Sequence, residues 1–352
     1  MASSADWMTR ALSLAGRGPW PDPNPRVGCV IVDGQGDLVA EGFHRGAGTP
    51  HAEVAALEAA GSRARGGTAY VTLEPCAHTG RTGPCAQALI DAGVEKVVFG
   101  QADPNPLARG GAQILAAAGV SVVGGVQAEA AEDLNAAWAR TVELGRPLVT
   151  WKFATTLDGR SAAADGSSRW ITGEAARADV HALRARCDAT LVGTGTVLAD
   201  DPRLTVRDGN DAPATVQPLR AVMGLREVPA AAAVRTGPGA WIHLPTRDPY
   251  AALAVLWDEG IRHVWLEGGP TVAAAFVRAG LVDEVYAYVA PALLGAGPSA
   301  VGDLGIGSVS EILRLSIEEV VPIGTDVRIR ARPGTASGSQ RQLVHSTARS
   351  DS

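Results

Sequence analysis

Along residues 5–142 the apolar positions alternate between two periods, about 3.6 for helices and 2 or continuous apolar runs for strands. Trp7, Met8, Ala11, Leu12 and Ala15 fall on one helical face. After the loop RGPWPDPNPR (17–26) the strand VGCVIVD turns at Gly34-Gln35-Gly36 into LVAEG, a predicted hairpin. Helix HAEVAALEAAG, strand TAYVTLE, helix PCAQALIDAG, strand KVVFG, helix GAQILAAAG and strand VSVVGG follow, before a long helix over 128–145. Gly145-Arg146-Pro147 breaks the pattern and marks a domain junction. A second series begins with strand PLVTWKFATTLDG, helix GEAARADVHALRARC, strand DATLVG and a short helix before ADDPRLTV. Strand LRAVM, the irregular stretch 225–239, strand WIHL, helix YAALAVLWDEG, strand HVWLEGG, helix PTVAAAFVRAG and strand EVYAYVAPALLG continue it. Strands near 315–321 and 326–331 close it. Strands alternating with helices of this length imply a sheet covered by helices, an α/β protein. The expected units are residues 1–145 and 146–332, with a Ser-, Gly- and Arg-rich disordered tail at 333–352.

Composition narrows the function class. A chain of 352 residues accommodates two domains. The formal net charge is −6 and aromatics are 5% of the chain, which argues against a nucleic-acid partner. No apolar run approaches a membrane span, and the N-terminus carries Asp6 and Arg10 without a signal-peptide core. Four cysteines are too few for a disulfide scaffold, so a reducing, cytoplasmic setting is expected. Only two lysines, Lys96 and Lys152, stand against twenty-nine arginines. A GC-rich genome accounts for that bias by itself; the alternative is that a surviving lysine, Lys152 in particular, serves where a guanidinium does not.

The chemistry concentrates in Pro50-His51-Ala52-Glu53, Glu74-Pro75-Cys76 and Cys85. One imidazole and two thiols form a zinc-ligand set with the fourth position left for water, and a free carboxylate lies two residues past the imidazole. Nucleobase deaminases carry this set as H-x-E…P-C-x-x-C, the Glu shuttling protons; here eight residues separate the cysteines. A structural zinc knuckle is the alternative, with His78 the nearest fourth ligand. Pro50 and Pro84 mark helix starts, so the ligands are expected at two helix N-termini, whose positive ends favour thiolate at Cys76 and Cys85. In the second half, Glu267-Gly268-Gly269-Pro270-Thr271 and Gly193-Thr194-Gly195-Thr196 are glycine turns before helices, suited to a phosphate or simply structural. Asp200-Asp201-Pro202 with Arg203 and Arg207 suits a phosphorylated substrate or a solvated loop.

These pieces together resemble the bifunctional riboflavin-biosynthesis deaminase–reductases. The resemblance is carried by PNPRVGCVIV, GTPHAEV, TLEPCAHTGRTGPC and DPNP (103–106), then by KFATTLDGR, SRWITG, LRARCDATLVGTGTVLADDPRLTVR, EGGPT and APALLG. It implies a cytidine-deaminase-like three-layer α/β/α domain followed by a dihydrofolate-reductase-like α/β domain. It implies zinc on His51, Cys76 and Cys85, and Glu53 as proton shuttle. The first domain would remove the 2-amino group of a phosphoribosylated diaminopyrimidinone, touching it through Asn24, His44, His78, Arg81, Asp103 and Asn105. The second would reduce the ribose to ribitol with NADPH. Ala154, Trp170, Thr196, Asp200 and the run Gly269, Pro270, Thr271, Val272, Ala273, Ala274 and Ala275 match its nucleotide positions. Ser168, Arg184, Leu204, Arg207 and Glu267 match its substrate positions, and Lys152 falls in the reductase motif as a catalytic candidate. Such an enzyme takes a small-molecule substrate and is expected to be a homo-oligomer, dimer or tetramer. Met223-Gly224-Leu225 departs from the family, which has an Asp and a small polar residue there. Weaker preference for NADPH over NADH is the expectation, with Asp-Ser at 224–225 restoring it. A second domain that binds nucleotide without catalysis is the alternative reading.

Overall fold

Buried apolar runs make strands and half-buried periodic ones make helices in both halves of the chain. In a computed structural model residues 2–20, 22–78, 83–207 and 212–334 are described. The chain divides into two compact units, Met1–Gly145 and the residues from Arg146 onward.

In the first unit the strands are β1 (Gly28–Val32), β2 (Leu38–Phe43), β3 (Thr68–Leu73), β4 (Lys96–Gln101) and β5 (Ser121–Val123), in the order β2-β1-β3-β4-β5. β1 pairs antiparallel with both β2 and β3, whereas β3, β4 and β5 are parallel, with Leu73 opposite Gln101. β1 is buried throughout (GCVIV), as a strand covered on both faces must be. The helices are α1 (Ser4–Ala15), α2 (Ala52–Ala60), α3 (Cys85–Asp91), α4 (Gly111–Ala117) and α5 (Ala128–Leu144). Ser3 caps α1 by accepting from the Asp6 N–H while Asp6 accepts from the Ser3 N–H, a reciprocal capping box. Cys29, Ile31, Val71, Leu89, Val97 and Leu115 form the core on one side of the sheet, and Met8, Ala11, Leu14, Val30 and Val98 on the other.

The second unit holds β6 (Leu148–Thr156), α6 (Glu174–Arg184), β7 (Ala189–Gly193), α7 (Thr194–Asp200), β8 (Leu219–Met223), α8 (Ala233–Thr236), β9 (Trp241–Leu244), α9 (Pro249–Asp258), β10 (His263–Leu266), α10 (Pro270–Arg278), β11 (Glu284–Ala290), β12 (Leu315–Ile323) and β13 (Asp326–Pro333). The order is β12-β13-β11-β6-β10-β7-β8-β9, parallel from β11 to β9 and antiparallel at the β12–β13 hairpin. Three details differ from the sequence reading. The stretch 225–239 carries the short helix α8. β11 stops at Ala290, before Pro291, rather than running on to Gly295. β13 reaches Pro333, and the Gly334 N–H donates to the Arg314 carbonyl at 3.0 Å. The remainder of the expected tail, 335–352, lies outside the described residues.

Candidate active sites

The first site is assembled where β3 ends and two helices begin. His51 caps α2 in extended conformation (φ −65°, ψ 159°), so its ring leaves the helix while Glu53 follows in the first turn, 4% exposed. Cys85 opens α3 behind Pro84. Cys76 lies in the segment after β3 and starts no helix; the start of α3 reaches it instead, through the Cys85 N–H at 3.4 Å from its Sγ. His51 Nδ1 is 3.1 Å from Cys85 Sγ and 3.7 Å from Cys76 Sγ. All three donor atoms lie within 4.8 Å of one another. One nitrogen and two sulfurs at such separations match the edges of a zinc tetrahedron built on bonds of about 2.0–2.3 Å, with one corner open.

The electrostatics agree with that set. A hydrogen bond from the Cys85 thiol, helped by His51, holds Cys76 well below the usual thiol range, at about 4. Burial pushes Glu53 up to about 7, the neighbouring Cys76 charge adding to it and His51 opposing. A carboxyl poised there exchanges a proton readily at neutral pH.

Around this centre, Asp103 is buried and raised to about 6, chiefly by burial, while it accepts from the Asn105 N–H at 2.8 Å. Asn24 and His44 come together differently from the expectation of two separate contacts. The Pro50 carbonyl can only accept, so His44 donates to it from Nδ1 (3.1 Å) and accepts at Nε2 from Asn24 Nδ2 (3.3 Å). Both ring nitrogens are thereby engaged, and the pair steadies the residue preceding the His51 ligand. His78 is exposed, and Arg81 lies outside the described residues.

The second site lies at the C-terminal ends of β10 and β7, where parallel sheets place their ligands. Glu267, just past β10, accepts from Arg184 Nε (3.0 Å) and Nη2 (2.7 Å) and from the Trp265 indole. Burial alone would raise its carboxyl, but Arg184 and Lys152 hold it down at about 2. Arg184 also donates to the Thr205 carbonyl at 2.7 Å, fixing the segment in which Leu204 takes φ +55°. The Lys152 Nζ stands 6.0 Å from the centroid of the Tyr288 ring, and burial lowers its affinity for a proton. The Tyr288 hydroxyl donates to Asp179 at 2.6 Å. Trp265 and Tyr288 escaped the sequence reading; the only signal was the alternation of Tyr286 and Tyr288 in β11, and lone Trp265 in β10 carried none.

The Gly269 N–H donates to Thr196 Oγ1 at 3.1 Å, tying the start of α10 to α7. Arg169 donates to the Asp200 carbonyl at 2.6 Å, and exposed Trp170 stacks beneath Arg177 at 4.4 Å. Ala154, Ser168 and Arg207 are half-buried. The run 269–275 divides: Thr271 is exposed, whereas Ala273 and Ala274 are 0% and 2% exposed and point into the core. The side chains of these two alanines cannot meet a cofactor, whereas Gly269, Pro270, Val272 and Ala275 are half-buried.

Comparison with known proteins places both halves. Residues 1–101 match the cytidine and deoxycytidylate deaminase zinc-binding region, and residues 147–329 match the RibD C-terminal domain. The riboflavin biosynthesis protein RibD of Mycobacterium tuberculosis is 50% identical over 307 residues, covering 87% of this chain and 90% of that one. RibD of Escherichia coli is 41% identical over 356 residues, covering 91% and 97%. Among solved structures, Acinetobacter baumannii RibD superposes with a TM-score of 0.79 at 41% identity, covering 94% of this chain and 99% of its own. The diaminohydroxyphosphoribosylaminopyrimidine deaminase/5-amino-6-(5-phosphoribosylamino)uracil reductase of Thermotoga maritima gives 0.75 at 32% identity, covering 94% and 98%.

Proposed function

The chain belongs to the RibD family of bifunctional deaminase–reductases, and on that footing we propose that His51, Cys76 and Cys85 hold its zinc while Glu53 carries the proton. It is an enzyme of riboflavin biosynthesis with a cytidine-deaminase-like zinc domain and a dihydrofolate-reductase-like NADPH domain. It deaminates 2,5-diamino-6-(5-phosphoribosylamino)pyrimidin-4-one hydrolytically and then reduces the ribosyl chain, giving 5-amino-6-(5-phosphoribitylamino)uracil. Residues 1–145 carry the first step and 146–332 the second.

One observation carries the assignment of the deaminase residues: a buried carboxyl raised to about 7 stands two residues from an imidazole that meets two thiols within 4.8 Å. Zinc on His51, Cys76 and Cys85 would supply Lewis acidity that makes water a nucleophile near neutral pH. The Glu53 carboxylate would accept a proton from the attacking water and return it to the departing amine. Asp103 and Asn105 orient the pyrimidine, exposed His78 adds a further substrate contact, and Asn24 and His44 steady the metal ligand; Arg81 completes the set by resemblance alone.

In the reductase, NADPH supplies the reducing equivalent. The first turn of α10 with Thr196, Ala154, Trp170 and Asp200 receives the cofactor. Glu267 stays ionised and accepts from sugar hydroxyls, Ser168, Leu204 and Arg207 line the substrate, and Arg184 holds Glu267 and the Thr205 carbonyl in place. Lys152 is the proton donor beside the reacting carbon. Turnover of the diaminopyrimidinone phosphate, with ammonia and NADPH followed together, tests the whole reading. Ammonia release without NADPH consumption, even when the nucleotide binds, would favour a non-catalytic second domain.

A homo-oligomer, dimer or tetramer, is supported by the outer strand β12, where Leu315, Ile317 and Val320 are 46%, 64% and 55% exposed. Light scattering on the eluting protein tests it. Among the described residues no helix is long and apolar enough to cross a membrane. Cys29 and Cys187, buried and not in disulfides, support residence in the reducing cytoplasm.

A further inference from the structure

Glu74 is the one charged side chain of the TLEPC segment and has no role in the chemistry above. It is buried, and among the described residues no Lys, Arg or His pairs with it. Its partners are backbone N–H groups of a single later segment. Oε2 accepts from Asp103 at 3.2 Å, and Oε1 accepts from Gly110 and Ala112, both at 3.1 Å. Three donors converge on two oxygens, a pattern that only an acceptor at both positions can meet.

The same two segments are zipped together on either side of this carboxylate. The Glu74 N–H donates to the Gln101 carbonyl and the Ala77 N–H to the Ala108 carbonyl, both at 2.8 Å. A side chain at Gly111 would place its Cβ 1.7 Å from the Pro75 carbonyl oxygen, so the backbones run in direct contact. Within the segment, Asp103 Oδ1 accepts from the Asn105 N–H (2.8 Å) and Asn105 Oδ1 from the Leu107 N–H (3.1 Å). Among the described contacts, Asp103 Oδ2 and Asn105 Nδ2 stay open to a ligand.

We propose that Glu74 is a positioning residue for deamination: its carboxylate fixes the 103–112 segment against the Cys76 loop, and so sets where Asp103 and Asn105 meet the pyrimidine. The inference rests on the reading of those two residues as substrate contacts. A carboxylate accepting several backbone N–H bonds in a buried place orders what it holds, because leaving any of those donors unpaired is costly.

The test is Glu74→Gln in the full-length, zinc-loaded enzyme. Glutamine keeps one acceptor oxygen but turns an NH2 group toward a backbone N–H, a donor facing a donor. The expected result is one zinc per chain, a kcat for ammonia release within about threefold, and a KM for the diaminopyrimidinone phosphate raised by about tenfold or more. Hydrogen exchange over 103–112 should quicken, and reductase turnover on the deaminated substrate should stay at the wild-type rate, reporting a folded chain. Glu74→Asp, with two acceptor oxygens on a shorter arm, should recover part of the KM and serves if the glutamine variant is insoluble. Loss of zinc in parallel with activity would assign Glu74 to the metal loop and overturn the proposal. So would a wild-type KM in Glu74→Gln while Asp103→Asn raises it. A wild-type KM in both variants would overturn the reading of Asp103 instead, and the exchange rates would then decide for Glu74.

Discussion

A Cβ at Gly224 would fall 2.5 Å from Oγ1 of Thr194. Gly224 also takes φ +140°, a conformation that side-chain-bearing residues rarely adopt. The expectation that Asp-Ser at 224–225 would sharpen cofactor choice therefore fails on the backbone. Gly224→Asp should lower stability by about 1–3 kcal/mol through strain alone, with no gain in the ratio of NADH to NADPH dissociation constants. Thermal melting and nucleotide titration check both halves; an undisturbed melting point with a sharper ratio would restore the expectation.

Cys76→Ser and Cys85→Ser should each lose zinc and ammonia release together, because two remaining ligands cannot hold the ion against water. Metal analysis of the dialysed proteins reads this directly. Reductase turnover on deaminated substrate should persist in both.

Glu53→Gln should keep its zinc and lose deamination by about 10²–10⁴-fold, the usual contribution of a general acid–base group. An amide of the same shape cannot carry the proton. A loss smaller than tenfold would give the shuttle to another group.

Gly269→Val acts on the other half. The first added carbon would lie 3.1 Å from Thr196 Oγ1, the atom that accepts from the Gly269 N–H. The larger side chain should push α7 and α10 apart at the turn and weaken NADPH binding, seen as a raised dissociation constant by fluorescence titration. Ammonia release should be unaffected.

His263 gives the reductase unit a pH dependence. Burial holds its imidazole at about 4, against an ordinary value of 6.5, while Thr150 Oγ1 lies 2.8 Å from its Nε2. The unfolded chain therefore takes up the proton first as pH falls. Its contribution is complete above pH 6.5 and is lost progressively between 6.5 and 4, amounting to about 3 kcal/mol. Denaturant midpoints of this unit between pH 4 and 8 should fall toward the acid end, and His263→Gln should flatten that part of the curve.

Much of this was legible in the chain itself. Strands and helices follow from apolar period, and the ligand set from residue types that have few other uses in that spacing. What could not be read was which partner each polar group had already taken. The sequence pattern does not show that Asn24 bonds to His44 and His44 in turn to the Pro50 carbonyl. Ala273 and Ala274 travelled with a cofactor motif, yet burial assigns them to the core. Gly224 read as a missing acid, when a close approach to Thr194 is what requires it. In each case the deciding fact is a neighbour distant in sequence, which no local pattern carries.

The pairing of Leu73 with Gln101 across β3 and β4 has a bearing on how this deaminase can vary. Because the two strands are parallel and in step, the cysteine-bearing loop and the turn that carries Asp103 and Asn105 leave the sheet at the same level. Side chains alternate with period two, so one residue gained or lost inside either strand would turn every following side chain to the opposite face. Insertions between Cys76 and Cys85, or in the connection from α3 to β4, leave that step intact. Change of length is therefore easier to accommodate in the loops than within β3 or β4, where it needs a bulge such as the register shift between Ile31 and Val32 at the β1–β2 pair.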